Sequence, residues 1–212
     1  MKPSVLVAAP TYAGKGYALD AYLAAYSALD YPSKELLLID TTVGSESYFM
    51  RLDFLGVKVG RLEPHDHFGT THFCALRSIY NYAVERGFGF ILSLEQDVIV
   101  PPKALRKMMR KMLADDLCVL IHTYPPRESS GWEGAMAEMG CTLMRTHDMG
   151  MALDYVESQY PVGLNFSQVL EQVADKSAIV RDLFKAQHLD GPDTPWLFTD
   201  ADPRPAPQES HA

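Results

Sequence analysis

Two carboxylates one residue apart, in Leu94-Glu95-Gln96-Asp97-Val98, close the apolar run Phe88 to Leu94 and precede a helix start at Pro101-Pro102. Such a pair just past a buried strand can hold a hard divalent cation and leave positions open for phosphates and water. An ordinary strand-to-helix turn, with Asp97 as its cap, would use the same residue types. Other polar groups also follow apolar runs: Thr11 and Tyr12 after the first, Asp40 after the second, and His122 after Leu117 to Ile121. In an open parallel sheet, ligands bind outside the carboxyl ends of the strands. Polar groups at four strand ends on one edge therefore predict a binding crevice there.

The elements that must position these groups alternate between short apolar runs and helical periods, the pattern of an α/β sandwich. Val5 to Ala9 reads as a strand stopped by Pro10, and Leu36 to Ile39 as a strand covered on both faces. Val57 to Leu62, Phe88 to Leu94, Leu117 to Ile121 and Ile179 to Phe184 read as further strands. Helices are predicted over Tyr17 to Leu29, Ser45 to Phe54, from Phe73 to near Gly87, after Pro101-Pro102, and over Phe166 to Lys176. Glu63 to Thr71 and the Gly/Pro/Ser-rich Tyr124 to Gly134 read as loops. The expected organisation is one domain over residues 1–200, with residues 201–212, rich in proline, as a disordered tail.

The 212 residues are 47% hydrophobic and 22% charged, with a formal net charge of -8, as in an ordinary globular chain without a general electrostatic grip on nucleic acid or acidic membranes. Cys74, Cys118 and Cys141 are odd in number and form no CxxC pair, which argues against a disulfide framework or cysteine zinc site and for reduced thiols in the cytoplasm. No run is long enough to span a bilayer. Gly14-Lys15-Gly16 follows the first strand but lacks the earlier glycine and the Ser or Thr of a phosphate loop. No GxGxxG follows a strand and no GxSxG occurs.

Several groups admit two readings. His65, Asp66, His67 and His72 lack a regular zinc-ligand spacing and suit either a loop over a ligand or plain surface. Trp132 can stack on an acceptor ring or pack its own loop. Lys103, Arg106, Lys107, Arg110 and Lys111 form a basic face opposite Met108, Met109 and Met112, either solvated or facing an anionic acceptor.

The order of these segments resembles the GT-A glycosyltransferases, particularly family 2 and its short archaeal and viral members. "VLVAAPTY" (Val5 to Tyr12) is similar to that family's first strand and nucleotide-contacting turn, and "ELLLIDTTVGSES" (Glu35 to Ser47) to its second strand. "ALRSIYNYAVERGFGFILSLEQDVIVPPKAL" (Ala75 to Leu105) resembles the helix, buried strand and DxD motif, and "GLNFSQVLEQVADKSAIVRDLFKAQHL" (Gly163 to Leu189) the closing helix and strand. The resemblance implies a mostly parallel sheet flanked by helices and a nucleoside-diphosphate sugar donor, UDP- or GDP-linked. Pro10, Thr11, Tyr12, Asp40, Glu95 and Gln96 would contact that donor, with Asp40 on the base and Arg77 near the phosphates. It further implies Mn²⁺ or Mg²⁺ held by Glu95, Asp97 and His188, with Asp97 the most dependable ligand.

Two positions depart from the family pattern. The DxD motif reads Glu-Gln-Asp, and the acidic "ED" pair that supplies a base in inverting members is replaced by Leu164-Asn165-Phe166-Ser167-Gln168. Glu133, Glu138 and Asp148 are the substitutes for that base, and a retaining or inactive chain is the alternative. The acceptor is unassigned: a glycan, a lipid, a small molecule or a modified DNA base all suit. A non-catalytic nucleotide-sugar-binding protein and a nucleotidyltransferase of similar architecture are the rival functions, although "APTYAGKGYA" fits the latter's loop poorly.

Overall fold

The computed structural model describes residues 2–44, 46–126, 138–159 and 166–191. Seven strands form one sheet: β1 (Val5–Thr11), β2 (Lys34–Asp40), β3 (Lys58–Arg61), β4 (Phe90–Leu94), β6 (Val119–His122), β7 (Cys141–Arg145) and β8 (Ser177–Val180). Their spatial order is β3-β2-β1-β4-β7-β6-β8. Every neighbouring pair is parallel except those involving β7, which runs antiparallel to both β4 and β6. The mostly parallel α/β sheet expected from the alternating runs is thus present. A separate ribbon joins β5 (Val98–Ile99) to β9 (Gln187–His188).

Alternation within the strands divides the core into two layers. Val5, Val7, Ala9, Leu36 and Leu38 face α1 (Leu19–Ala28), α2 (Ser47–Phe54) and α4 (Ala104–Ala114), where Tyr22, Leu52 and Met108 are buried. Leu6, Ala8, Leu37 and Ile39 face α3 (Phe68–Glu85), α5 (Thr146–Gln159) and α6 (Phe166–Val173). The sheet is covered on both sides, which is why its central strands are continuous apolar runs.

Several boundaries differ from the sequence reading for identifiable reasons. A 3₁₀ turn (Ala13–Ala18) precedes α1, opened by the Lys15 N–H donating to the Tyr12 carbonyl at 2.9 Å. Helix α3 starts five residues before Phe73, since His67 caps it by accepting a hydrogen bond from the Gly69 N–H on Nδ1 at 3.1 Å. Cys141–Gln159, to which no element was assigned, holds β7 and α5; so short and doubly buried a strand shows no alternation to read. The last sheet strand spans Ser177–Val180 rather than Ile179 to Phe184. Beyond it the chain leaves the sheet and stacks Phe184 on His122, with ring centroids 3.7 Å apart.

The basic face of α4 is partly spent on neighbours. Arg106 pairs with Asp30 at 2.6 Å, Lys107 donates to the Leu183 carbonyl and Lys111 pairs with Asp115. The Gly/Pro/Ser-rich loop with Trp132 and Glu133, the segment Leu164-Asn165, and the tail from 201 lie outside the described residues.

Candidate active site

The carboxyl ends of β1, β2 and β4 lie at one edge, with Thr11 and Asp40 in register across β1 and β2. A cavity of about 590 Å³ opens there, within the usual range for small-molecule sites. Its walls are Pro10–Tyr12 and Lys15 after β1, Thr41–Val43 after β2, Pro64–Asp66 with Thr71 and His72 at the start of α3, and Glu95 after β4. Thr71 ties this rim together: its hydroxyl accepts from the His65 N–H at 2.8 Å. The loop after β2 is tied to β1 as the Thr41 N–H donates to the Thr11 carbonyl at 2.9 Å.

A tight turn at Glu95–Val98, closed by the Val98 N–H donating to the Glu95 carbonyl at 2.9 Å, sends the Glu-Gln-Asp side chains apart. Glu95 is on the cavity wall. Gln96 is fully buried: its Oε1 accepts from the Thr11 hydroxyl and from the Tyr48 hydroxyl at 2.7 Å, while Nε2 donates to the Lys15 carbonyl at 2.7 Å. Gln96 thus has its polar atoms engaged inside the protein and is not on the cavity wall. It braces the strand end from behind, because alternation around the turn sends it opposite to its neighbours.

Asp97 is also fully buried, and here the structure adds a residue that the sequence reading set aside. Lys15, carried by the 3₁₀ turn, places Nζ 2.8 Å from Glu95 Oε2 and 2.9 Å from Asp97 Oδ1. Asp97 Oδ2 faces His188 Nε2 and the Tyr17 hydroxyl, each at 3.5 Å. The β5–β9 ribbon brings His188 there, since Val98 and His188 are register partners and the Leu189 N–H donates to the Asp97 carbonyl at 2.8 Å. Burial alone would raise the Asp97 pKa. The His188 hydrogen bond and the Lys15 charge outweigh it and hold the carboxyl well below the usual range. Lys15 is correspondingly held above its ordinary value: burial opposes its charge, but Glu95 and Asp97 more than compensate.

Glu138 stands just before β7 at this same edge, the edge where that antiparallel strand begins. Burial pushes its carboxyl up, Glu95 adds to this and His188 opposes it. Tyr124 lies edge-on to His188 with centroids 5.4 Å apart and approaches Gly140 so closely that a Cβ there would sit 2.2 Å from its hydroxyl. On the rim, burial pulls the His72 imidazole below its usual range, with Glu95 opposing and Lys15 reinforcing.

Four expected residues are not on the cavity wall. Asp148 is in the first turn of α5, after β7 has crossed to the opposite edge, where Arg145 pairs with Phe90 at the start of β4. An antiparallel strand thus carries it away from the cavity edge. Arg77 is clamped to α5 by Asp154 at 3.0 Å and Glu157 at 2.9 Å, and it is not on the cavity wall. Its place about two and a half turns into α3 faces α5 instead. His122 is buried under Phe184 and accepts weakly on Nε2 from the Phe184 N–H at 3.4 Å, a packing arrangement. Asp40 is fully buried rather than cavity-lining. Its Oδ1 accepts from the Thr42 N–H at 3.0 Å and the Thr42 hydroxyl at 2.5 Å, while Oδ2 has no partner among the described residues.

As the side chains stand, the carboxylate pair does not form a ready cage for Mn²⁺ or Mg²⁺. The Lys15 ammonium bridges Glu95 and Asp97, and among the described residues no three His, Cys, Asp or Glu are grouped to hold a metal ion.

No family model and no curated protein sequence matches the chain. Solved structures do. S. aureus TarS 1-349 in complex with UDP-GlcNAc matches with a TM-score of 0.60 and 13% identity, over 92% of this chain and 62% of that one. The mannosyltransferase PcManGT from Pyrobaculum calidifontis, in complex with GDP-Man and Mn²⁺, matches at 0.62 and 15%, over 89% and 57%. A 4-diphosphocytidyl-2C-methyl-D-erythritol synthase matches at 0.56 and 13%, over 85% and 89%. The chain spans about three-fifths of the first two, and what it shares with all three is the GT-A fold of nucleotide-diphospho-sugar transferases.

Proposed function

We propose that the chain is a family 2-like glycosyltransferase that binds a nucleoside-diphosphate sugar in the cavity at the strand ends and passes its sugar to a hydroxyl acceptor. The observation that carries this reading is the charged cluster Lys15–Glu95–Asp97 beside a cavity walled by the ends of β1, β2 and β4. The GT-A fold and the UDP-GlcNAc and GDP-Man bound to two similar structures support UDP- or GDP-linked donors. In this reading Pro10, Thr11 and Tyr12 with the Thr41–Val43 turn hold the nucleoside. The unpartnered Asp40 Oδ2 supplies an acceptor for a base or ribose donor once that turn adjusts.

Transfer requires an acceptor oxygen to form a bond to the anomeric carbon while the bond from that carbon to the diphosphate oxygen breaks. The bonding pair leaves on the diphosphate, and the acceptor proton must pass to a base. Glu138 is the group we assign to that proton, because its raised pKa suits a base and it stands at the Glu95 and His188 edge. The Phe166-Ser167-Gln168 start of α6 offers no carboxylate, Asp148 is on the far edge, and Glu133 lies outside the described residues. All three cysteines are free, which supports a cytoplasmic setting; no helix among the described residues is long and apolar enough to cross a membrane.

One observation favours a nucleotidyltransferase as the second reading. Lys15 sits in the loop after β1 facing the acidic pair, and the 4-diphosphocytidyl-2C-methyl-D-erythritol synthase matches this chain nearly end to end. The two reactions release different products: UDP or GDP from a nucleotide sugar, against pyrophosphate from a nucleoside triphosphate and a sugar phosphate. The primary test is a thermal-shift screen of UDP-, GDP-, CMP- and dTDP-sugars, followed by product analysis. A donor at a hundredfold its Kd should add about 2.7 kcal/mol, a shift of about 5–11 °C for a chain of this size. Absence of a shift with every nucleotide sugar would reject donor binding; a shift without turnover on any acceptor or water would leave a non-catalytic binder.

A further inference from the structure

We infer that Lys15 is the resident cation of the Glu95–Asp97 pair and excludes divalent metal from it in the free protein. The inference deepens the glycosyltransferase reading by specifying how that site's charge is balanced, and its test needs no nucleotide.

The ammonium makes two charge-assisted hydrogen bonds, at 2.8 Å to Glu95 Oε2 and 2.9 Å to Asp97 Oδ1, so it stands between the two oxygens that a bridging cation would need. The residue is held at its backbone as well. Its N–H donates to the Tyr12 carbonyl at 2.9 Å and its carbonyl accepts from Gln96 Nε2 at 2.7 Å. Gln96 lies between the two carboxylates in sequence, so the turn that presents the acids also fixes their counter-ion. The other Asp97 oxygen faces two hydrogen-bond donors, Tyr17 and His188.

A metal ion entering this site must displace the ammonium and also lose part of its own hydration shell, which Mg²⁺ gives up reluctantly. The ammonium is tethered to the site and competes at a high effective concentration, on the order of millimolar or above. Once displaced, a lysine with a 12% exposed side chain must find other partners for a charge that burial already disfavours. Two formal negative charges against one positive leave the pair with residual attraction for a second cation. Removing Lys15 should therefore create a divalent site from the two acids already in place, with water as the remaining ligands.

The test is a Mn²⁺ titration of the free protein followed by electron paramagnetic resonance of the unbound ion, with circular dichroism and thermal melts to confirm folding. Wild type should bind Mn²⁺ no more tightly than Lys15→Arg, which keeps a cation in place. Lys15→Met should gain at least tenfold in affinity for one Mn²⁺, and Lys15→Met combined with Asp97→Asn should lose that gain. Tight one-to-one binding by wild type would overturn the inference whatever the variants do, as would a folded Lys15→Met protein with no gain. Failure of every nucleotide sugar to bind would sink the glycosyltransferase reading alone, because no nucleotide enters this titration.

Discussion

Replacing Gln96 with leucine tests whether the middle residue of Glu-Gln-Asp braces the site rather than touching a ligand. Leucine nearly matches glutamine in volume, so the change removes hydrogen bonds with little change in packing. Three partners lose Gln96: the hydroxyls of Thr11 and Tyr48 and the carbonyl of Lys15. The two hydroxyls stand 3.2 Å apart and can pair with each other, which leaves one hydroxyl proton without an acceptor, while the Lys15 carbonyl loses its side-chain donor but stays in its 3₁₀ turn. Each buried unsatisfied group costs about 1–3 kcal/mol, and burying a leucine in place of an amide returns about 1–2 kcal/mol. The carbonyl's lost hydrogen bond adds about 0.5–1.5 kcal/mol, so the expected net loss centres on about 1.5 kcal/mol. For a chain of this size that lowers Tm by about 3–6 °C. Urea unfolding at neutral pH, followed by tyrosine fluorescence and circular dichroism together, measures it. Because the Lys15 carbonyl loses its tie to Gln96, nucleotide affinity should fall as well, and Tyr48→Phe should cost less than Gln96→Leu. A Gln96→Leu protein within 0.5 kcal/mol of wild type, with unchanged ligand affinity, would refute the bracing argument.

Asp97→Asn should destabilise the protein by about 3 kcal/mol near neutrality, the scale for removing one partner of a buried pair. Since the folded pKa of Asp97 is depressed, its contribution is complete above the unfolded value of about 3.9 and is lost as pH falls through the lower folded value; urea melts of both proteins from pH 7 downward should therefore converge only in strong acid. Glu138→Gln should lower kcat by about 10²–10⁴-fold with donor affinity preserved. Because the Glu138 pKa is raised, wild-type kcat/KM should fall on acidification at a pH above the ordinary carboxylate value; equal kcat in the variant would remove Glu138 as the base. Arg77→Ala should cost about 1 kcal/mol, as expected for ion pairs with exposed partners, and leave donor affinity within about twofold, since its guanidinium is spent on α5; a tenfold loss of affinity measured by calorimetry would return it to the phosphates.

The α/β class was legible in the sequence because a sheet covered on both faces needs uninterrupted apolar strands, and Val5 to Ala9, Leu36 to Ile39 and Phe88 to Leu94 supply them. The edge that carries the cavity was legible too, because parallel strands bring their carboxyl ends to one side and Thr11, Asp40 and Glu95 directly follow or close apolar runs. Tertiary structure alone decided which side chains share that edge. Strand direction sent Asp148 to the opposite edge, since β7 runs against its neighbours for reasons that local periodicity does not encode. The turn at Glu95–Val98 parted three consecutive side chains, so Gln96 points under β1 while its neighbours meet a lysine about eighty positions earlier. Lys15 sat in plain view between two glycines, but as a fragment of a motif that fails. Its partners are set by long-range packing of the first strand against the fourth, and a charge pair of that separation leaves no periodic trace along the chain.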